Sequence, residues 1–212
     1  THKILPETNT VANKFELSPY SRTSSSWESL WPIKPEVVFE GGNLAKLEND
    51  SIDYHEDLDI LTTSSNTAIN SFARFNATSA ATAFASNFLA KLRDVYPNAW
   101  PETLRALMIH SASWNSEMIK QFKIDLKKVG DKQKLLRIFG YGVPNLEKAI
   151  ECKSNYLTFI SEEVIQPYKL DGTIKTNEIH YYEFPWPSEI LANLGSANVT
   201  LRITLSYYIE PN

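Results

Sequence analysis

The chain has 212 residues and a net charge of −4, with 42% hydrophobic and 22% charged residues. That apolar share is enough for a folded core, which excludes wholesale disorder, and the acidic balance offers none of the basic surface with which a nucleic-acid binder meets phosphates. A single cysteine, Cys152, excludes an internal disulfide framework and a Cys-based zinc site, and no apolar run reaches the ~20 residues that cross a bilayer.

Residues 1–36 are polar, with a loop-like run from Ser21 to Ser26 followed by Trp31-Pro32-Ile33-Lys34-Pro35. Pro32 and Pro35 keep that stretch extended, because each bars helix from the residue before it. Val37-Val38-Phe39 reads as a short apolar strand ending at Gly41-Gly42. Residues 44–59 crowd Glu48, Asp50, Asp53, Glu56, Asp57 and Asp59 together. Carboxylates so close can bind calcium, but the run lacks a Gly-turned loop with alternating ligands and reads as a solvated insertion. Leu58 to Thr63 is a second short strand.

From Ser79 to Asp94 the pattern is helical, with small alanines first and then Phe84, Phe88, Leu89 and Leu92 at helical spacing. Tyr96-Pro97 stops it, and Pro101 sits at a favourable first-turn position of a second helix, Glu102 to Ser111. A third helical segment, roughly Asn115 to Phe122, precedes a lysine-rich stretch. Gly140-Tyr141-Gly142 marks a tight turn, and residues 144–150 form a last short helix. Beyond Ser154 the character changes to β-rich runs at 156–160, 179–184 and 199–205, with turns at Asp171-Gly172 and Leu194-Gly195. In the last run Val199, Leu201, Ile203 and Leu205 alternate with polar residues, as in a half-buried strand. Trp186, with Tyr181, Tyr182 and Phe184, is read as the aromatic packing of a small β-sandwich, the alternative being an exposed contact surface.

Ser79 draws attention on physical grounds. It stands before a helix whose first turn is built of small residues, so a substrate backbone can approach it. A helix N-terminus offers free N–H groups and partial positive charge, which suit an oxyanion forming on a substrate carbonyl. The bland alternative is that Thr78 or Ser79 only caps the helix.

The run Ala77-Thr78-Ser79-Ala80-Ala81 resembles the nucleophile motif of the subtilisin-like serine peptidases, Gly-Thr-Ser-x-Ala-x-Pro. Upstream, Lys34-Pro35-Glu36-Val37-Val38-Phe39-Glu40-Gly41-Gly42 is similar to that family's Lys-Pro-Asp-Val-x-Ala-Pro-Gly strand and turn, and Leu17 to Thr23 resembles the segment before it. Downstream, Pro101 to Leu107 resembles the helix after the nucleophile helix, and Gly140-Tyr141-Gly142 matches the turn that closes the peptidase domain. The likeness covers residues from about 12 to 150, in order. It departs from the motif at Ala77, where the family has glycine, and at Ala83, where it has proline. Ala77 demands either a negative φ or backbone strain, whereas Ala83 suits a helix.

The resemblance implies an α/β fold: residues 1–152 as the C-terminal part of a subtilisin-like three-layer domain with parallel strands and packed helices, and residues 153–212 as a small β-sandwich-like extension. It implies an endopeptidase reaction through an acyl-enzyme on Ser79 and a bacterial, cytoplasmic setting, in which the sequons at Asn49 and Asn198 carry no weight. It also implies an AAA-type ATPase as a partner besides the peptide substrate, with no cofactor or metal. The family's Asp and His stand in Asp-Ser/Thr-Gly and His-Gly contexts, and its oxyanion Asn in a Gly-Asn context. This chain has no glycine before Gly41, His2 is followed by Lys3 and His55 by Glu56, and Asn9 and Asn13 have the wrong neighbours. His110 falls at a packing position and His180 in the extension. The remaining catalytic groups are therefore expected upstream of Thr1, the extension is expected to run on past Asn212, and the chain alone is expected to be inactive. The rival reading is an inactive subtilase-like scaffold or interaction module in which Ser79 merely caps a helix.

Overall fold

The computed structural model describes residues 9–28, 30–47, 49–151, 158–184 and 186–209. His2, Glu48, Cys152, Pro185, the first two residues of the 156–160 run and the last three residues of the chain lie outside them, so expectations that fall there are not addressed.

The first elements are short. Strands β1 (Ala45–Lys46) and β2 (Ile52–Asp53) pair antiparallel, and so do β3 (Ile60–Thr63) and β4 (Phe72–Phe75), with Ile60 opposite Phe75. A single 3-10 turn at Glu56–Leu58 takes up the start of the strand expected from Leu58. Helices follow: α1 (Ala77–Val95), α2 (Pro101–Ser111), α3 (Ser116–Gln121), α4 (Val129–Phe139) and α5 (Leu146–Glu151).

Each helix boundary has a local cause. Pro97 disfavours helix at Tyr96, which leaves the helical region at φ −120°, ψ 68° and ends α1. Pro101 occupies the first turn of α2, where its missing N–H costs nothing. The Asn115 side chain accepts the Met118 N–H at 2.9 Å and starts α3. Gly140 ends α4 at φ 57° and lies so close to the 35–36 backbone that a Cβ there would sit 2.2 Å from the Glu36 carbonyl oxygen.

Two apolar clusters form the core. One joins Phe88 and Leu92 of α1, Leu104, Leu107 and Met108 of α2 and Ala149 of α5, with Val37 and Phe39 packed against it. The other joins Met118 of α3 to Leu135, Ile138 and Phe139 of α4, with Leu17, Val38 and Trp114. Residues 37–39 thus send alternate side chains into opposite clusters, the period-two pattern of an extended chain buried on both faces. The layered α/β arrangement survives in this form: one extended segment between two helical layers.

The parallel strands do not appear. The three ladders among the described residues are all antiparallel and two-stranded, and residues 37–39 belong to none of them. That segment is held instead by the Gly-Tyr-Gly turn. The Val38 N–H donates to the Gly142 carbonyl at 3.0 Å, and the Tyr141 N–H donates to the Glu36 carbonyl at 2.8 Å. A parallel ladder needs a neighbour reached by a long crossover, and no described segment supplies one here. Helix α4 was not foreseen, because Gly130 and its lysines mask a short apolar stripe confined to its last turns.

The β-sandwich expected over 153–212 does not appear among the described residues of that stretch either. They contribute one hairpin, β5 (Tyr168–Asp171) and β6 (Thr173–Thr176), turning at Gly172 as expected, and one helix, α6 (Ser188–Leu194), closed by Gly195. Residues 158–160, 179–184 and 199–205 belong to no ladder among the described residues. The 199–205 run keeps its alternation with the faces exchanged. Leu201, Ile203 and Leu205 point outward, 63–82% exposed, while Thr204 and Ser206 turn toward the protein. A shift of one residue is enough to exchange them. Phe159 packs edge-on against Tyr182 and Phe184, at 6.2 and 5.3 Å between ring centroids, while Tyr181 and Trp186 remain exposed. No helix among the described residues is long and apolar enough to cross a membrane.

Candidate functional site

The β3–β4 hairpin delivers the chain directly into α1, and Ser79 lies in the first turn of this 19-residue helix. Its side chain is exposed, whereas Ala80, the next residue, is buried in the helix base. Ser79 is not the cap. The residue before the helix is Asn76, in extended conformation at φ −146°, and its side chain makes no capping bond to the helix. That amide donates instead to the Asp59 carboxylate, at 2.8 Å. The first-turn N–H groups are left without a side-chain acceptor, and they carry the positive end of the helix dipole.

The turn between Asn76 and Ser79 is sharp. Ala77 sits at φ 66°, in the left-handed region that an alanine occupies only at a cost. Of the two outcomes open to an alanine at that position, the chain takes the strained one. The turn is braced by the Gly41-Gly42 segment. The Ala77 N–H donates to the Gly41 carbonyl at 2.7 Å, and a Cβ on Gly42 would lie 3.2 Å from the Asn76 Cβ. Gly42 itself has φ 81°, a further reason for glycine there. Its carbonyl accepts the Ser18 hydroxyl at 2.6 Å, and the Tyr20 ring flanks it. Burial, then the neighbouring Tyr54 and Asp59, push the Tyr20 hydroxyl above its ordinary pKa.

The segments around residues 18–20, 41–42 and 76–79, far apart in sequence, thus converge on one turn. The sequence pointed to Ser79 and to the glycine pair. It gave no reason to single out Asp59, one of several carboxylates in an acidic run, nor Asn76, whose role depends on a partner 17 residues away. Three of the other described acidic side chains of this run have partners of their own: Glu56 pairs with Arg74, Asp50 with Lys46 at 2.8 Å, and Asp57 lies 3.7 Å from the His55 ring.

No described histidine hydrogen-bonds Ser79. His55 Nδ1 accepts the Asp57 N–H at 3.2 Å and caps the 3-10 turn. His110, near the end of α2, is 2.8 Å from the Thr204 hydroxyl, and burial first, then Arg202 and Lys148, hold its pKa below the ordinary histidine value. His180 is exposed in the extension.

With that geometry in hand, a family model described as the subtilase family matches residues 8–142, well over half of the chain, from the segment before Ser18 to the Gly-Tyr-Gly turn. Comparison with curated proteins and with solved structures finds no match.

Proposed function

Because the chain belongs to the subtilase family, a family of serine peptidases, we propose that Ser79 is the nucleophile of an endopeptidase and that its His, Asp and oxyanion Asn come from polypeptide outside these 212 residues. The observation that carries the reading is the placement of an exposed Ser79 in the first turn of α1, with the N–H groups that follow Ala77 in that turn without a side-chain cap. The Ser79 hydroxyl attacks the carbonyl carbon of a peptide bond while its proton passes to the imidazole. The oxyanion forms against the Ser79 N–H and the amide of the missing Asn. Collapse of the tetrahedral species expels the amine, which takes the proton from the imidazolium and leaves an ester on Ser79. Water, deprotonated by the same histidine, then hydrolyses that ester. One donor of this kind contributes about 10²–10³ in rate, so an oxyanion site without its base supports little turnover.

The left-handed turn at Ala77 stands two residues before the exposed Ser79, and the Asn76 amide bonds to Asp59 instead of capping the helix. A fluorogenic peptide assay on the 212-residue chain, run beside Ser79→Ala, tests the division of labour. The expected result is no Ser79-dependent turnover. Clear turnover that vanishes in Ser79→Ala would mean that the base lies within the chain.

A further inference from the structure

The extension touches the peptidase region along one helix, and it does so at both ends. At the N-terminus of α2 the Glu162 carboxylate accepts the Trp100 N–H at 2.7 Å and the Thr103 hydroxyl. At the C-terminus the Arg202 guanidinium donates to the His110 carbonyl, and the His110 ring meets the Thr204 hydroxyl at 2.8 Å. An anion at the amino end of a helix and a cation at the carboxyl end both match its dipole, and each satisfies backbone groups that the helix cannot satisfy itself.

We propose that the described residues of the extension, 158–184 and 186–209, form a strap that clasps α2 at its two ends, and that proton uptake by His110 loosens the C-terminal half of that strap. The inward face of 199–207 is polar, with Thr204 and Ser206 turned toward the protein and the leucines and isoleucine turned out. Docking there is therefore held by the bonds of Arg202 and Thr204 to His110 rather than by a packed apolar face, and the buried Ser206 hydroxyl makes no hydrogen bond to the described residues. His110 is the hub of these contacts, giving its carbonyl to Arg202 and its ring to Thr204. Among the described residues, the charged groups that act on its ring are Arg202 of the strap and Lys148 of α5, both cationic.

An imidazolium formed in that half-buried position repels Arg202 and Lys148 and loses hydration. Docking therefore favours neutral His110, whose pKa lies below that of the free side chain. The contribution of His110 to docking is complete above the free-histidine range and falls as pH drops through the docked value. The N-terminal clasp contains no histidine, so the protonation of His110 does not act on it directly.

Chymotryptic cleavage within 199–209 of the whole chain, divided at each pH by the rate on a free peptide of those residues, reads this directly at about pH 8 and about pH 5.5, either side of the free-histidine value. Cleavage is expected to be slower than in the peptide at the higher pH and to quicken at the lower, by up to about tenfold per pH unit. His110→Gln, which retains a hydrogen-bonding group but cannot charge, should remove the pH dependence. Arg202→Ala should speed cleavage at both pH values with the far-UV circular dichroism unchanged. Thr204→Val serves where His110→Gln lowers the helix signal, and should speed cleavage at the higher pH. Cleavage that is as fast as in the peptide at the higher pH, that does not change with pH in the unsubstituted chain, or that keeps its pH dependence in His110→Gln overturns the proposal.

Discussion

Ala77→Gly probes the serine turn most sharply, because it reports on one backbone angle. An L-residue in the left-handed region costs roughly 1–2 kcal/mol, which glycine avoids. Glycine gives back about 0.5–1 kcal/mol through the freedom it regains in the unfolded chain, and the loss of a half-buried methyl removes roughly another 0.4 kcal/mol. The net expectation is a gain of ~0.5 kcal/mol, small by itself but opposite in sign to the usual effect of glycine in a helix. Ala80→Gly, three residues on and buried, supplies the contrast. It loses about 1 kcal/mol of helix propensity and about 0.8 kcal/mol of methyl burial. The two variants should therefore differ by roughly 2 kcal/mol, or about 4–8 °C in Tm for a chain of this size. Urea and thermal unfolding followed by far-UV circular dichroism measure both. If Ala77→Gly destabilises as much as Ala80→Gly, Ala77 is not left-handed and the account of the turn fails.

Glu36 anchors the extended segment to α2 through a two-pronged bond to Arg105, with Lys34 at 3.2 Å. Burial alone would raise its pKa, but Arg105 and then Lys34 bring it below the ordinary carboxylate value. Its contribution is present above the unfolded carboxylate pKa and lost as pH falls through the folded one. Glu36→Gln should accordingly cost about 1 kcal/mol in neutral-pH unfolding, given that the pair is part-exposed, and nearly nothing in strong acid. A loss that is equal at both pH values would point to packing instead. Gly140→Ala places a methyl against the Glu36 carbonyl at a positive φ and should destabilise by more than about 2 kcal/mol, visible as a Tm drop of at least ~4 °C. Asp59→Ala frees the Asn76 amide and should lower stability by about 1 kcal/mol, and a neutral result would show that the Asn76 bond does not brace the turn.

Helices α1, α2, α3 and α5 were legible because their signals are local, whereas α4 and α6 were not foreseen. Pro101, Asn115 and the Tyr96-Pro97 stop act within a few residues, and α1 declared itself by the spacing of Phe88 and Leu92. The segment at 37–39 was legible as extended and apolar, but whether it pairs depends on neighbours its own residues do not specify. The 199–205 run shows the limit of periodicity. Alternation fixes the period but not the face, and the inward face is settled by His110, some 94 residues away at Thr204. At the site, Ser79 and Gly41-Gly42 could be read from their motif. The bond between Asp59 and Asn76 could not, since nothing in an acidic run distinguishes the one carboxylate that folds back onto the serine turn.

The central claim is that Ser79 is a catalytic nucleophile. Its most direct test is fluorophosphonate labelling of the polypeptide that contains these residues together with the segments supplying His and Asp, with the modified residue identified by peptide mass spectrometry. The account predicts a covalent adduct on Ser79, lost together with peptide hydrolysis in Ser79→Ala. Peptide hydrolysis that persists in Ser79→Ala, or an adduct on a different serine, would contradict it.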